Sequence, residues 1–423
     1  VATAGVVALA TTGSAGADDP APVTTPANRS VIILNGDGMG PAQRTFIQYA
    51  LYGTVTTQPM DTLPFNGTLR TNSADKAFVT DSGAGATAWA TGQKTLNDHV
   101  GVDTKGKPLK TILEEARDAG KTTALVEDHD VTNATMAAFA AHKADRDDTN
   151  GIAEQYLRQT KPDIIFGGGQ ETWYPKGTHG PVKGGKPSEG PSNLVKEAKS
   201  LGYQYAYDRK TFAALTGPKA LALTRDDGLE YYEEVKGYKE AKDPFYVPEH
   251  EMVQKALDLS SANPNGFFMA IDVDEIDDAG HDHDGPLMLK SGAELNEIVN
   301  VLKAYQAAHP ETLIIVTADH ETGGMTIEDK ADGGTGVDGD DPEPYYDEKH
   351  ARNVQKNGKL PVDSGPFKVK NTSQRFTLDW TTPEHSGVAV QVSAAGPNAE
   401  LLSGPHDNTW VYTVMHQTLF GTP

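Results

Sequence analysis

Val31-Ile32-Ile33-Leu34-Asn35-Gly36-Asp37-Gly38-Met39-Gly40 is the stretch on which the reading of the fold turns. Its apolar opening is short, continuous and mostly β-branched, with no polar alternation. That is the pattern of a strand buried on both faces, as in a parallel sheet. The run stops in a glycine-rich turn that leaves Asp37 at the strand's carboxyl end. In open α/β sheets that edge is where ligands bind.

The same grammar recurs downstream. Residues 111–120 read as an amphipathic helix with a glycine stop, and 122–126 as a strand. Residues 163–166 form another apolar run, ending in glycines. Helices are expected over 193–200 and 250–259, then a strand over 266–271 ending at Asp272. A long helix over about 287–308 leads to a strand at 312–317, which ends at Asp319-His320. Strands alternating with helices over this length predict an α/β fold. The expectation is a mostly parallel central β-sheet flanked by helices on both faces. One catalytic domain over 18–423 is the economical division, with a surface insertion at about 325–380. That insertion begins in a glycine- and acid-rich stretch, where Asp338, Asp340 and Asp341 read as solvated loop carboxylates.

A second stretch carries a question of its own: Phe78-Val79-Thr80-Asp81-Ser82-Gly83-Ala84-Gly85-Ala86-Thr87-Ala88-Trp89-Ala90-Thr91-Gly92. A β-branched lead-in, read as a strand end, gives way to small helix-compatible residues closed by Gly92. Ser82 would then sit at a helix N-terminus, where backbone N–H groups favour negative charge. Taken alone, such a serine is far more often a helix cap than a nucleophile.

Composition narrows the alternatives. The 423 residues are 37% hydrophobic and 23% charged, enough for a sizeable core. A formal charge of −22 argues against a nucleic-acid-binding surface. No apolar run is long enough to span a bilayer. There is no cysteine, so any zinc-like ion must be held by His and Asp/Glu. Val1 to Ala10 reads as the apolar part of a signal peptide, and Ala15-Gly16-Ala17 as its cleavage site. On that reading residues 1–17 are a leader remnant and the mature protein is secreted or periplasmic.

Chemistry-bearing residues collect at the expected strand ends: Asp37, Asp81-Ser82, Asp272, Asp277, His281, Asp319-His320, and His385 before a late apolar run. The segment 272–281 is the densest, and metal binding competes there with an acidic helix surface on about equal terms. His283 and Asp284 read as solvent-facing neighbours.

Together these motifs resemble the alkaline phosphatase family. The resemblance is carried by residues 35–40, 80–92 and 94–103, the Asp272…Asp277…His281 spacing, Thr317-Ala318-Asp319-His320, Glu384-His385-Ser386-Gly387, and Gly396-Pro397 with a closing helix near Trp410. It implies two Zn2+ ions and one Mg2+. Asp277, His281 and His385 would hold one zinc. Asp37, Asp319, His320 and Ser82 would hold the other, and Asp37, Thr135 and Asp272 the magnesium. It further implies a phosphomonoesterase working through a Ser82 phosphoseryl intermediate on small-molecule phosphate monoesters. Arg146 would grip the phosphate, with Asp81 orienting Arg146 or the serine backbone. A homodimer is left open. Two positions depart from the family pattern. Asn133 stands where a carboxylate or histidine is common, and Asp278 where a basic or aromatic residue is common. Asp278 is expected to weaken phosphate binding.

Two other readings stay open at this stage. One is a phosphodiesterase of the same superfamily, and the other a non-catalytic secreted acidic metal-binding protein. A sulfatase is disfavoured, because Ser82-Gly83-Ala84-Gly85 lacks the proline and arginine that such a site uses.

Overall fold

A computed structural model describes residues 29–182, 187–225, 244–329 and 363–421. The expected leader at 1–17 and the loop acids Asp338, Asp340 and Asp341 lie outside these residues. In chain order the strands are β1 (Ser30–Gly36), β2 (Phe65–Arg70), β3 (Thr122–Asp130), β4 (Ile164–Gly168), β5 (Gln204–Ala206), β6 (Ala220–Leu223), β7 (Phe267–Val273) and β8 (Thr312–Thr317). There follow β9 (Glu321–Thr322), β10 (Met325–Asp329), β11 (Asp363–Lys368), β12 (Arg375–Trp380), β13 (His385–Ser386), β14 (Val390–Ala395) and β15 (Gly404–Asp407).

The main sheet has the order β15-β2-β14-β8-β1-β7-β3-β4-β6-β5. Its interior runs parallel from β8 to β5, and β14 is antiparallel to both β8 and β2. All of β1, β7 and β8 is buried, which explains their unbroken apolar sequences. Register aligns the functional ends. Asn35 lies opposite both Asp272 and Thr317, and Glu127 opposite Asp272. Asp37, Asp272 and Asp319 therefore emerge side by side at one carboxyl edge.

Helices cover both faces. The Ser82–Thr91 helix packs against Ala134–Ala140 and the closing helix Trp410–Phe420. Glu249–Ser260 lies on β3 and against the long Gly285–Ala308 helix, which also packs on Glu275–His281. Every residue of Ser82–Thr91 is buried, which its small side chains permit without a polar face. Gly92 ends it at φ 72°, and a Cβ there would come 2.8 Å from the Tyr412 ring of the closing helix.

Three expectations need correction. Phe78-Val79-Thr80 is not a strand: Phe78 takes φ 68° and is 59% exposed, and Val79 is tied to the Asn97 side chain instead. The strand expected to stop at Val126, β3, continues to Asp130, with Glu127 and Asp128 buried and His129 and Asp130 half-buried. His283 is only 5% exposed and stacks on Trp380 at 5.1 Å, while Asp284 caps the long helix at Leu287. Within the stretch expected as an insertion, β10, β12 and β11 form a three-stranded antiparallel sheet. Phe367 and Phe376 of that sheet pack on Phe46 at 4.7 and 5.9 Å.

Candidate metal centre

Asp37 leaves β1 on a turn whose N–H bonds to the Val273 carbonyl at 3.1 Å. Asp319 and His320 follow β8. All three are fully buried. His320 Nε2 lies 3.2 Å from Asp319 Oδ2 and 3.5 Å from Asp37 Oδ1. Asp37 Oδ1 and Asp319 Oδ2 accept no hydrogen bond. Buried carboxylate oxygens without partners are costly unless a cation compensates them. Burial, then repulsion from Asp319 and Asp272, pushes the Asp37 carboxyl well above its usual range. Burial and then Asp277 push Asp319 up to about 6. Burial, reinforced by His385, holds His320 well below its ordinary value, so the imidazole is neutral and able to act as a ligand.

Asp277 and His281 share the short Glu275–His281 helix, and their i,i+4 spacing puts both on one face. His281 Nε2 sits 3.0 Å from Asp277 Oδ2 and 3.2 Å from Nε2 of His385. The outer ring nitrogens are fixed from behind. His385 Nδ1 donates to the Thr80 carbonyl at 3.0 Å, and His281 Nδ1 to that of Pro383. Such backing sets the tautomer that leaves Nε2 facing the centre. Burial opposes ionisation of Asp277, but the hydrogen bond from His281 and the surrounding histidines outweigh it, and its carboxyl lies well below the usual range. Thr322 bonds to both Asp277 and His320, and nothing in the sequence had singled it out.

Asp272 ends in two buried oxygens without hydrogen-bond partners, and it forms a group with Asp37 and Asp274 whose oxygens lie within 4.8 Å of one another. The Thr135 hydroxyl donates to Asp37 Oδ2 at 3.1 Å. An all-oxygen set of this kind suits a hard cation such as Mg2+. The groups Asp277–His320–His385 and Asp37–Asp319–His320 mix imidazole with carboxylate, as a zinc site without cysteine requires. The first group has His320 where the expected set had His281, whose Nε2 lies 3.0 Å from Asp277 Oδ2, and the donor types fit the implied ions.

The helix cap is Asp81. Its side chain accepts from the Ala84 N–H at 2.9 Å, which leaves Ser82 in the first helical turn with its hydroxyl uncommitted to capping. Ser82 Oγ lies 3.3 Å from His320 Nε2. The other Asp81 oxygen takes Arg146 Nη1 at 3.3 Å. Arg146 Nη2 donates to the Asn133 amide oxygen at 3.1 Å, and the Asn133 amino group faces Asp274 at 3.5 Å. An amide accepts from Arg146 while donating toward Asp274, which an ionised carboxylate at 133 could not do.

Glycines let the backbone close on this edge. A Cβ at Gly38 would fall 2.7 Å from Asp277 Oδ1, and its φ is +68°. Gly38→Ala is expected to cost about 1–2 kcal/mol from the left-handed backbone alone. Denaturant unfolding would read that loss, and a variant as stable as the parent would contradict it.

His129 and Asp274 also stand at this edge, and the sequence reading gave neither a role. The signal was the acid-rich run Glu127-Asp128-His129-Asp130, which lies just beyond the strand expected over 122–126.

A parallel sheet with buried carboxylates and imidazoles at its carboxyl edge, beside a serine at a helix start, has the make-up of an α/β hydrolase with candidate metal sites. Residues 28–420 match the family model for alkaline phosphatase, and the chain belongs to the alkaline phosphatase family. It is 30% identical to alkaline phosphatase 3 of Bacillus subtilis, over 90% of this chain and 87% of that one. It is 31% identical to streptomycin-6-phosphate phosphatase of Streptomyces griseus, over 93% and 89%. Among solved structures, a cold-active alkaline phosphatase from a psychrophilic Shewanella superposes with a TM-score of 0.72 at 28% identity, covering 92% of this chain and 99% of that one. The fold is therefore the one expected, and the chain is a phosphoric monoester hydrolase.

Proposed function

We propose that the chain hydrolyses small-molecule phosphate monoesters by double displacement through Ser82, with two Zn2+ ions and one Mg2+ in the centre described above. The observation that carries this reading is the convergence of Ser82 with partnerless buried carboxylate oxygens at one sheet edge. Asp277, His281 and His385 would hold one zinc, Asp37, Asp319 and His320 the other, and Asp37, Thr135 and Asp272 the magnesium. When bound, the ions supply positive charge and Lewis acidity to the reacting phosphoryl group.

The chain's own groups do the rest. Asp81 holds the first helical turn in shape, so that Ser82 Oγ faces the centre. The helix N-terminus favours the anionic oxygen and the incoming phosphate. Arg146, fixed between Asp81 and Asn133, presents its fork to two phosphoryl oxygens. Burial lowers the affinity of Arg146 for its proton, but Asp81 more than offsets that and keeps it charged. Ser82 Oγ bonds to phosphorus as the alcohol leaves, and water then cleaves the phosphoserine.

The N-terminal leader is read as an export signal. The experiment is turnover of an aryl phosphate monoester against an aryl diester of the same alcohol. The monoester should win by at least about 10²-fold in kcat/KM, since binding differences of a few kcal/mol are amplified to that size. Preference for the diester would favour the phosphodiesterase reading.

A further inference from the structure

We propose that His129, Asp274 and Asp278 hold an additional divalent cation at the rim of the metal centre, with Asp274 shared between it and the group formed with Asp37 and Asp272. His129 stands near the end of β3, and Asp274 and Asp278 lie at the start of the Glu275–His281 helix and one turn into it. Each offers one ligand atom, and the three lie within 4.8 Å of one another. The same spacing is met by Asp277–His320–His385 and by Asp37–Asp319–His320.

The separations are informative. His129 Nδ1 is 3.8 Å from Asp274 Oδ2, and His129 Nε2 is 3.9 Å from Asp278 Oδ2. These distances are too long for hydrogen bonds. One ion can take only one of the two ring nitrogens, and that nitrogen and one oxygen of each acid lie within 4.8 Å of one another; pairs in the main centre are closer, at 3.0 Å for His281–Asp277 and 3.2 Å for His320–Asp319. Ligands placed about 2.0–2.2 Å from a tetrahedral ion stand a little over 3 Å apart, so small side-chain movements would close the set. Asp274 is 7% exposed, and its N–H is anchored by buried Asp128 at 2.8 Å, so it is held in place as a pre-formed ligand would be. The Asp278 side chain is 37% exposed, which leaves an entry path from solvent. One imidazole with two carboxylates favours Zn2+ or another transition ion over Ca2+.

Charge gives the site a purpose. Asp274 and Asp278 add two negative charges to a pocket that must accept a phosphate dianion. Three divalent ions balance six carboxylates, and Arg146 balances a serine alkoxide, so little net attraction remains. One more divalent ion restores about two positive charges. It also gives the Asp278 carboxylate a counter-charge.

The sharing of Asp274 rests on the metal centre read above, but the test counts ions and is independent of turnover. The metal-free full-length chain is titrated with zinc, and bound zinc is counted after gel filtration for the wild type, His129→Gln and Asp278→Asn. The wild type should bind about one more zinc per chain than either variant, with the extra step weakened at least about 10-fold in each. Asp278 is part-exposed, so Asp278→Asn carries the result if His129→Gln does not fold. Equal zinc counts in all three proteins would overturn the proposal. Aryl phosphatase activity measured on the same samples tells failure of this site from failure of the hydrolytic reading.

Discussion

Ser82→Ala should lose at least about 10³-fold in kcat/KM on an aryl phosphate while keeping its fold and its metals. The reason is the division of labour at the helix start. Asp81 makes the capping hydrogen bond to Ala84, so removing the Ser82 hydroxyl uncaps nothing. Alanine is well tolerated in the first helical turn, and Ser82 is one small side chain in a helix that is buried throughout. Asp37, Asp319 and His320 remain a candidate ligand set without the serine. A variant that retained more than a tenth of parental turnover would show that water attacks phosphorus directly. Asp81→Asn offers a contrast: it should keep the cap through its amide oxygen but loosen Arg146, raising KM more than it lowers kcat.

Chelation should abolish activity, again by at least about 10³-fold, and restoring zinc with magnesium should recover it. The physical basis is the pocket's own charge. Without cations, buried Asp37, Asp272 and Asp319 repel one another, and burial compounds the cost. A phosphate dianion then meets a negative pocket in a protein of net charge −22. The metal-free chain should also respond to pH with a definite sign. Burial, then Asp274, pushes Asp278 up to about 7. His281 is raised to about 9, because its hydrogen bond to Asp277 outweighs the burial that would lower it. Both groups bind protons more tightly folded than unfolded, so their contribution is present at lower pH and lost as pH rises through these values. His320, whose proton affinity is depressed, works in the opposite sense only below its unfolded value near pH 6.5. From about pH 6.5 to 9 the metal-free protein should therefore lose stability, seen as a falling urea midpoint. The reloaded protein, with these acids neutralised and His281 engaged, should show a flatter profile. A midpoint that rose with pH in the metal-free chain would contradict this account.

Much of the architecture was legible because its parallel strands are buried on both faces. Val31 to Leu34 and Thr312 to Val316 could hardly be anything else. Glycine stops at Gly92 and Gly120 fixed two helix ends correctly, at φ 72° and 73°. What escaped was of a different kind. β2 and β14 pair antiparallel at the sheet's flank, where Asn66, Gly67 and Gln391 break any apolar run. The extension of β3 through Glu127 to Asp130 was hidden because charged residues ordinarily end a strand. At the site, spacing pointed to Asp277 and His281 as a pair, since i,i+4 geometry is local. The meeting of Ser82 with His320 is not local, and only the order of motifs hinted at it. The exchange between Asn133, Arg146 and Asp274 could not be read from sequence, because the donor and acceptor roles of an amide depend on which neighbours the fold supplies.

The central claim is that Ser82 becomes covalently phosphorylated in each turnover. The direct measurement is to mix the metal-loaded enzyme with an aryl phosphate, quench in acid, digest and locate phosphate by mass spectrometry. Phosphate on the peptide carrying Ser82, absent in Ser82→Ala and in chelated enzyme, is the predicted result. Rapid turnover with Ser82 unmodified at every quench time, and a burst-free release of the aryl alcohol, would contradict it.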